Sequence, residues 1–215
     1  MTKRRKIVTA VLSFIVIGTL VGVVTAYFAS QDVKANIVTV GEDDISVTEN
    51  FTPPDQSTQN PYRKLVKIQN TGSIPCYIRV RLEFSSSELR NKALFSSANQ
   101  DTDTAPDDTA FYSANPNDTN AYINHLPENW VYVPDGDSGT PTVTGGYYYY
   151  TKPVDPNTST NALLSWVKMN YRDGDEKPAH NIYVYSESVQ TNDPDSGTVY
   201  SGDNGWRNAW NSFAG

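Results

Sequence analysis

Residues 76–84 read CYIRVRLEF, and this stretch constrains the fold more than any other part of the chain. Cys76, Ile78, Val80, Leu82 and Phe84 alternate with Tyr77, Arg79, Arg81 and Glu83. A period of two puts the first set on one face of a strand and the second on the other. Sustained over nine residues, it predicts a strand with one buried and one wet face. Helical spacing would scatter the apolar set around the axis instead.

The rest of the chain repeats that pattern in shorter pieces. Residues 64–69 (KLVKIQ) alternate, and Asn70, Thr71, Gly72, Ser73 and Pro75 supply turn chemistry before the next strand. Further strands are expected at residues 37–40, 45–48, 130–133, 147–151, 163–171 and 182–189, with a chain reversal around Asp135, Gly136 and Asp137. Many short strands separated by Asp, Asn, Ser, Thr, Gly and Pro predict an all-β chain, a jelly-roll or Ig-like sandwich with short helical additions. One helix is expected over residues 87–94, capped by Ser87. A second over residues 206–213 places Trp206, Trp210 and Phe213 on one face. Residues 96–120 and 192–205 carry no apolar face and read as long polar surface loops.

The chain opens with a basic cluster, Lys3, Arg4, Arg5 and Lys6, followed by an uncharged apolar stretch from Ile7 to Val24. This order holds the positive end in the cytoplasm while the chain enters the export machinery. The stretch is longer than a usual signal core and close to the roughly 20 residues that cross a bilayer. Small side chains before Tyr27 suit cleavage between Ala26 and Tyr27; retention as a membrane anchor is the other reading. Both put residues 27–215, read as one sandwich domain behind the signal helix, outside the cell.

Charge narrows the partners. The whole chain of 215 residues carries −7, and the four basic groups of the first 26 residues leave −11 on the remainder. That excess disfavours nucleic acid, which demands a basic surface. Membrane contact is expected only through the N-terminal segment. Cys76 is the only cysteine, so there is no internal disulfide framework. Its place in the alternation predicts a small buried hydrophobe, with an intermolecular disulfide as the minor reading.

The residues that could carry chemistry are sparse. His125 and His180 are the only histidines, neither stands in an H-E-x-x-H pattern, and no nucleophile elbow is present. No enzyme and no cofactor is expected. Asp135, Asp137, Asp193 and Asp195 offer oxygen ligands of the kind calcium takes, but none completes an EF-hand loop. The run Tyr147, Tyr148, Tyr149 and Tyr150 sends alternate rings to opposite faces of a strand. Tyr148 and Tyr149 are the candidates for exposed aromatics that stack on a sugar or a partner protein; cross-strand packing within a sheet is the other reading.

The segment TAYFASQDVKANIVTVGEDDISV, together with VKIQNTGSIPCYIRVRLEF, NWVYVPDG, GYYYYTKPVDPN, NIYVYSESVQTN and GWRNAWNSF, resembles a family of exported proteins. These are the TasA/camelysin-like proteins of Gram-positive bacteria, processed by the signal peptidase of the biofilm-matrix fibre protein. The likeness, in patches over most of the chain, is to a clostridial-type subgroup. It implies a secreted or cell-surface β-sandwich, a matrix fibre-type subunit that meets the signal peptidase during export and then itself or related subunits. It also implies assembly by donation of an N-terminal strand, which falls on residues 27–40 and is carried by Tyr27, Ile37, Val38 and Val40. A binding module for carbohydrate or a surface protein is the alternative, and a camelysin-like peptidase, lacking its zinc motif here, the third reading.

Overall fold

A computed structural model describes residues 45–51, 60–134, 145–172, 175 and 181–214. The chain divides into two compact units, residues 1–40 and 41–215, and the described residues all belong to the second. Its strands are β1 (Ile45–Phe51), β2 (Tyr62–Asn70), β3 (Cys76–Phe84), β4 (Ala93–Ser96), β5 (Tyr112–Ser113), β6 (Trp130–Val133), β7 (Tyr147–Tyr150), β8 (Leu164–Met169) and β9 (Ile182–Gln190). Two short helices join them, α1 (Ser87–Lys92) and α2 (Gly205–Ala214).

The strands form the expected all-β sandwich. Sheet A has the order β1-β2-β8-β4-β5 and sheet B the order β6-β7-β3-β9, antiparallel throughout. The core between them takes Tyr62, Val66 and Ile68 from β2, Leu164, Val167 and Met169 from β8 and Phe95 from β4. Cys76, Ile78, Val80 and Leu82 of β3 face them from sheet B. A shift in the β2–β8 register between Arg63 and Val66 accompanies the inward placing of both Leu164 and Val167. Cys76 is fully buried in this core.

The turn between β2 and β3 carries the chain from one sheet to the other. Asn70, fully buried, holds it: its amide nitrogen donates to the carbonyls of Ile74 and Val154, both at 2.8 Å, and its oxygen accepts from the Gly72 amide at 2.9 Å. A short polar side chain thus satisfies backbone groups that a crossing between layers leaves without a ladder.

Helix α1 starts within the expected stretch, but its cap lies one residue earlier than the sequence suggests. Ser86, not Ser87, is its N-cap, and its hydroxyl accepts from the Leu89 amide at 3.1 Å. The helix ends by residue 92, because Ala93 is already extended and opens β4. Residues 96–120 are not a purely polar loop either. Phe111 and Ala114 are buried, and β5 adds an outermost strand to sheet A. The front of the loop is tied down by Arg63. This buried guanidinium donates to the carbonyls of Gln100 (2.7 Å) and Thr102 and lies over the Trp166 ring at 5.6 Å.

Candidate interaction surface

Sheet B has a second apolar layer on its outer face, which corrects the expectation of a wet face on β3. Tyr77 and Arg79 are buried there, with Tyr149 and Val133, beneath Trp206, Ala209 and Trp210 of α2. The sequence of α2, GWRNAWNSFA, is no strong helix former, and ten residues lie below the roughly 12–15 that fold alone. Docking therefore makes the helix. Burying each large ring is worth about 3 kcal/mol, more than the propensity deficit of any single residue. Phe213 meets the Trp210 ring edge-on at 6.0 Å yet is 66% exposed, so it does not share the buried face expected of it.

Arg79 is the centre of this layer. Its guanidinium lies between two rings, 4.3 Å from the centroid of Tyr147 and 4.1 Å from that of Trp210. Its Nε donates to Glu187 Oε2 at 2.6 Å and its Nη1 to the Tyr149 hydroxyl at 3.4 Å. A buried charge is tolerated where it is paired and its donors are used, and both conditions hold here. Burial pushes the Tyr149 phenol above its ordinary value, and the adjacent Arg79 partly offsets that. The Tyr77 hydroxyl donates to the Tyr200 carbonyl at 3.1 Å, and burial raises this phenol too.

Beyond the helix, among the described residues, part of the outer face of sheet B is exposed and its β9 edge carries no paired strand, although β1 of sheet A comes close to β9. β9 pairs with β3 in nine consecutive registers, from Cys76↔Gln190 to Phe84↔Ile182. On its other side no strand is paired among the described residues. Tyr183 and Tyr185 stand on the outer face, 48% and 56% exposed, opposite Glu83 and Arg81 of β3. The sequence IYVYSESVQ contains no lysine, proline or glycine, the usual guards of an open edge. Its one charge, Glu187, is already engaged by Arg79.

No family model matches the chain. No curated protein and no solved structure matches it either.

The candidates for display are inside the molecule, in agreement with the packing reading. Tyr148 is 6% exposed and lies in the inter-sheet core beside Tyr132, and Tyr149 is fully buried under α2. The reason is that β7 is an inner strand: Tyr148, on the inner side of its pleat, faces the other sheet, and Tyr149, on the outer side, lies under α2. The exposed pair is Tyr183 and Tyr185 instead. The signal for it was present: Ile182 and Val184 alternate with the two tyrosines in an unguarded strand.

Asp193 spends its carboxylate on a turn. Oδ1 accepts from the amides of Asp195 (2.9 Å) and Ser196 (3.3 Å), and Oδ2 from the Ser196 hydroxyl at 2.7 Å. These bonds, the Ser196 hydroxyl first, hold its acidity below the usual carboxylate range. Among the described residues no group of three or more His, Cys, Asp or Glu is placed to hold a metal. Asp135 and Asp137, the Ala26–Tyr27 junction, and Ile37, Val38 and Val40 lie outside the described residues, as does His180. His125 stacks flat on Tyr112, with centroids 3.6 Å apart.

Proposed function

We propose that this chain is an extracellular structural protein, a secreted or cell-surface subunit that works by joining to other chains through an open sheet edge. The unguarded β9 edge carries this reading. Such an edge presents a row of backbone donors and acceptors, and a strand laid along it gains main-chain hydrogen bonds at once. The basic-then-apolar start of the chain supports an exterior location, and the excess negative charge suits an exposed soluble surface. A fibre-type matrix role, with residues 27–40 as one donor strand, fits the same edge.

N-terminal sequencing of the chain recovered outside the cell, followed by sedimentation and electron microscopy of that sample, tests the reading. The expected result is a mature start at Tyr27 and oligomers or fibres that grow with concentration. A chain that stays monomeric at every concentration, or that accumulates folded in the cytosol, overturns it. Exposed Tyr183 and Tyr185 favour a second reading, a module that stacks on carbohydrate. A monomeric sample retained on immobilised polysaccharide would favour that reading over the first.

A further inference from the structure

We infer that the strand added to the β9 edge is β9 of a second copy, antiparallel, about a two-fold axis passing beside Ser186. This rests on the association reading above and names the partner of that same edge.

Symmetry and side-chain pairing fix the register. Two identical strands related by a two-fold meet at one residue that faces its own copy. Ser186 is the middle residue of Ile182–Gln190, so an axis beside it pairs all nine residues of both strands. On the outer face, Tyr185 then stands opposite Glu187 of the second copy and Tyr183 opposite Val189. On the inner face, Val184 meets Ser188 and Ile182 meets Gln190. Moving the axis to residue 187 leaves the first two residues of each strand unpaired. Moving it to residue 185 leaves the last two residues of each strand unpaired. The central register alone uses the full edge.

Charge favours it further. Glu187 is bonded by Arg79 within its own chain and lies 3.4 Å from the Tyr147 hydroxyl, so the edge meets its copy with its single charge neutralised. The continuous β3–β9 ladder has no bulge to bend the edge away. The product is one sheet in the order β6-β7-β3-β9-β9-β3-β7-β6, with Tyr183 and Tyr185 of both copies on the same outer face.

Ser186→Cys in the full chain tests this. Facing residues of an antiparallel pair lie about 4.5–5.5 Å apart at Cβ, near the span a disulfide needs. Under mild oxidation most of the chains should run as a linked dimer on a non-reducing gel. Ser188→Cys, which faces Val184, should link poorly, and the wild-type chain, whose Cys76 is buried, should not link. Hydrogen exchange on the wild-type protein needs no substitution: the β9 amides should lose their protection on dilution while β3 keeps its own. Equal linking by Ser186→Cys and Ser188→Cys overturns the inference. So does linking of Ser186→Cys only to a cysteine placed at Val38, which points to a donated N-terminal strand. An associating sample whose β9 amides exchange freely overturns the two-fold and leaves the association reading standing; a sample monomeric throughout overturns both.

Discussion

Two arginines show how this chain turns strand faces that look wet into buried ones. Arg63 and Arg79 each sit on a tryptophan, Trp166 and Trp210; the terminal nitrogens of Arg63 donate to backbone carbonyls, and Arg79 donates to a carboxylate. Lysine could keep the charge at position 79, but it has neither the flat face nor the fork. Arg79→Lys is expected to cost about 1–2 kcal/mol, the range of a partly desolvated cation–π contact. Chemical denaturation followed by circular dichroism checks it, and an unchanged midpoint would show that the sandwich of rings adds nothing. Neither role was legible in the sequence, because alternation assigns a charged residue to solvent and cannot see a helix from the far end of the chain. In the sequence Asn70 shows only turn chemistry, and its place under two carbonyls appears only once the two sheets are assembled.

The elements that carry a pattern of their own were legible and the others were not. β3 and β6 fall on the expected residues, and β2, β7, β8 and β9 within a few residues of them, because each carries its own alternation or aromatic run. β4 (ALFS) and β5 (YS) carry neither a clean alternation nor an aromatic run, and they exist because β8 offers β4 an edge and β4 in turn offers one to β5. α2 was visible through the spacing of Trp206 and Trp210, but its target was not. Its start depends on Gly205. A Cβ there would lie 2.3 Å from the Tyr77 hydroxyl and 3.2 Å from the Tyr200 backbone. Gly205→Ala gains up to about 1 kcal/mol of helix propensity. The clash with a buried, hydrogen-bonded phenol, about 1–3 kcal/mol, outweighs it. The expected outcome is a net loss of stability with early release of α2, read as lost amide protection in residues 205–214 ahead of β3.

At the scale of the whole molecule, stability should fall off on both sides of neutrality. Asp118, Asp175 and Asp193 are held below their ordinary 3.8, chiefly by the Asn120 amide, the Lys92 ammonium and the Ser196 hydroxyl respectively. A lowered carboxylate stabilises the fold above its unfolded value, and that contribution disappears as pH falls through the folded one. The phenols of Tyr77, Tyr122, Tyr148 and Tyr149 are raised by burial, so their contribution is complete below about pH 10 and is lost above it. Urea midpoints measured across pH should be flat from about 5 to 9, drop below about 4, and drop again above about 10. A midpoint still rising below pH 4 would reverse the sign assigned to the carboxylates, and Asp175→Asn should make the acid limb shallower.

All four tryptophans are buried, each at a different joint. Trp130 seals the space between the sheets, Trp166 lies under the Arg63 clasp, and Trp206 and Trp210 fasten α2. Indole emission moves to longer wavelength when the ring meets water, so the native protein should glow blue-shifted. Replacing all but one indole with phenylalanine would turn each joint into its own optical gauge. The order in which helix, clasp and core come apart could then be timed without attaching a dye.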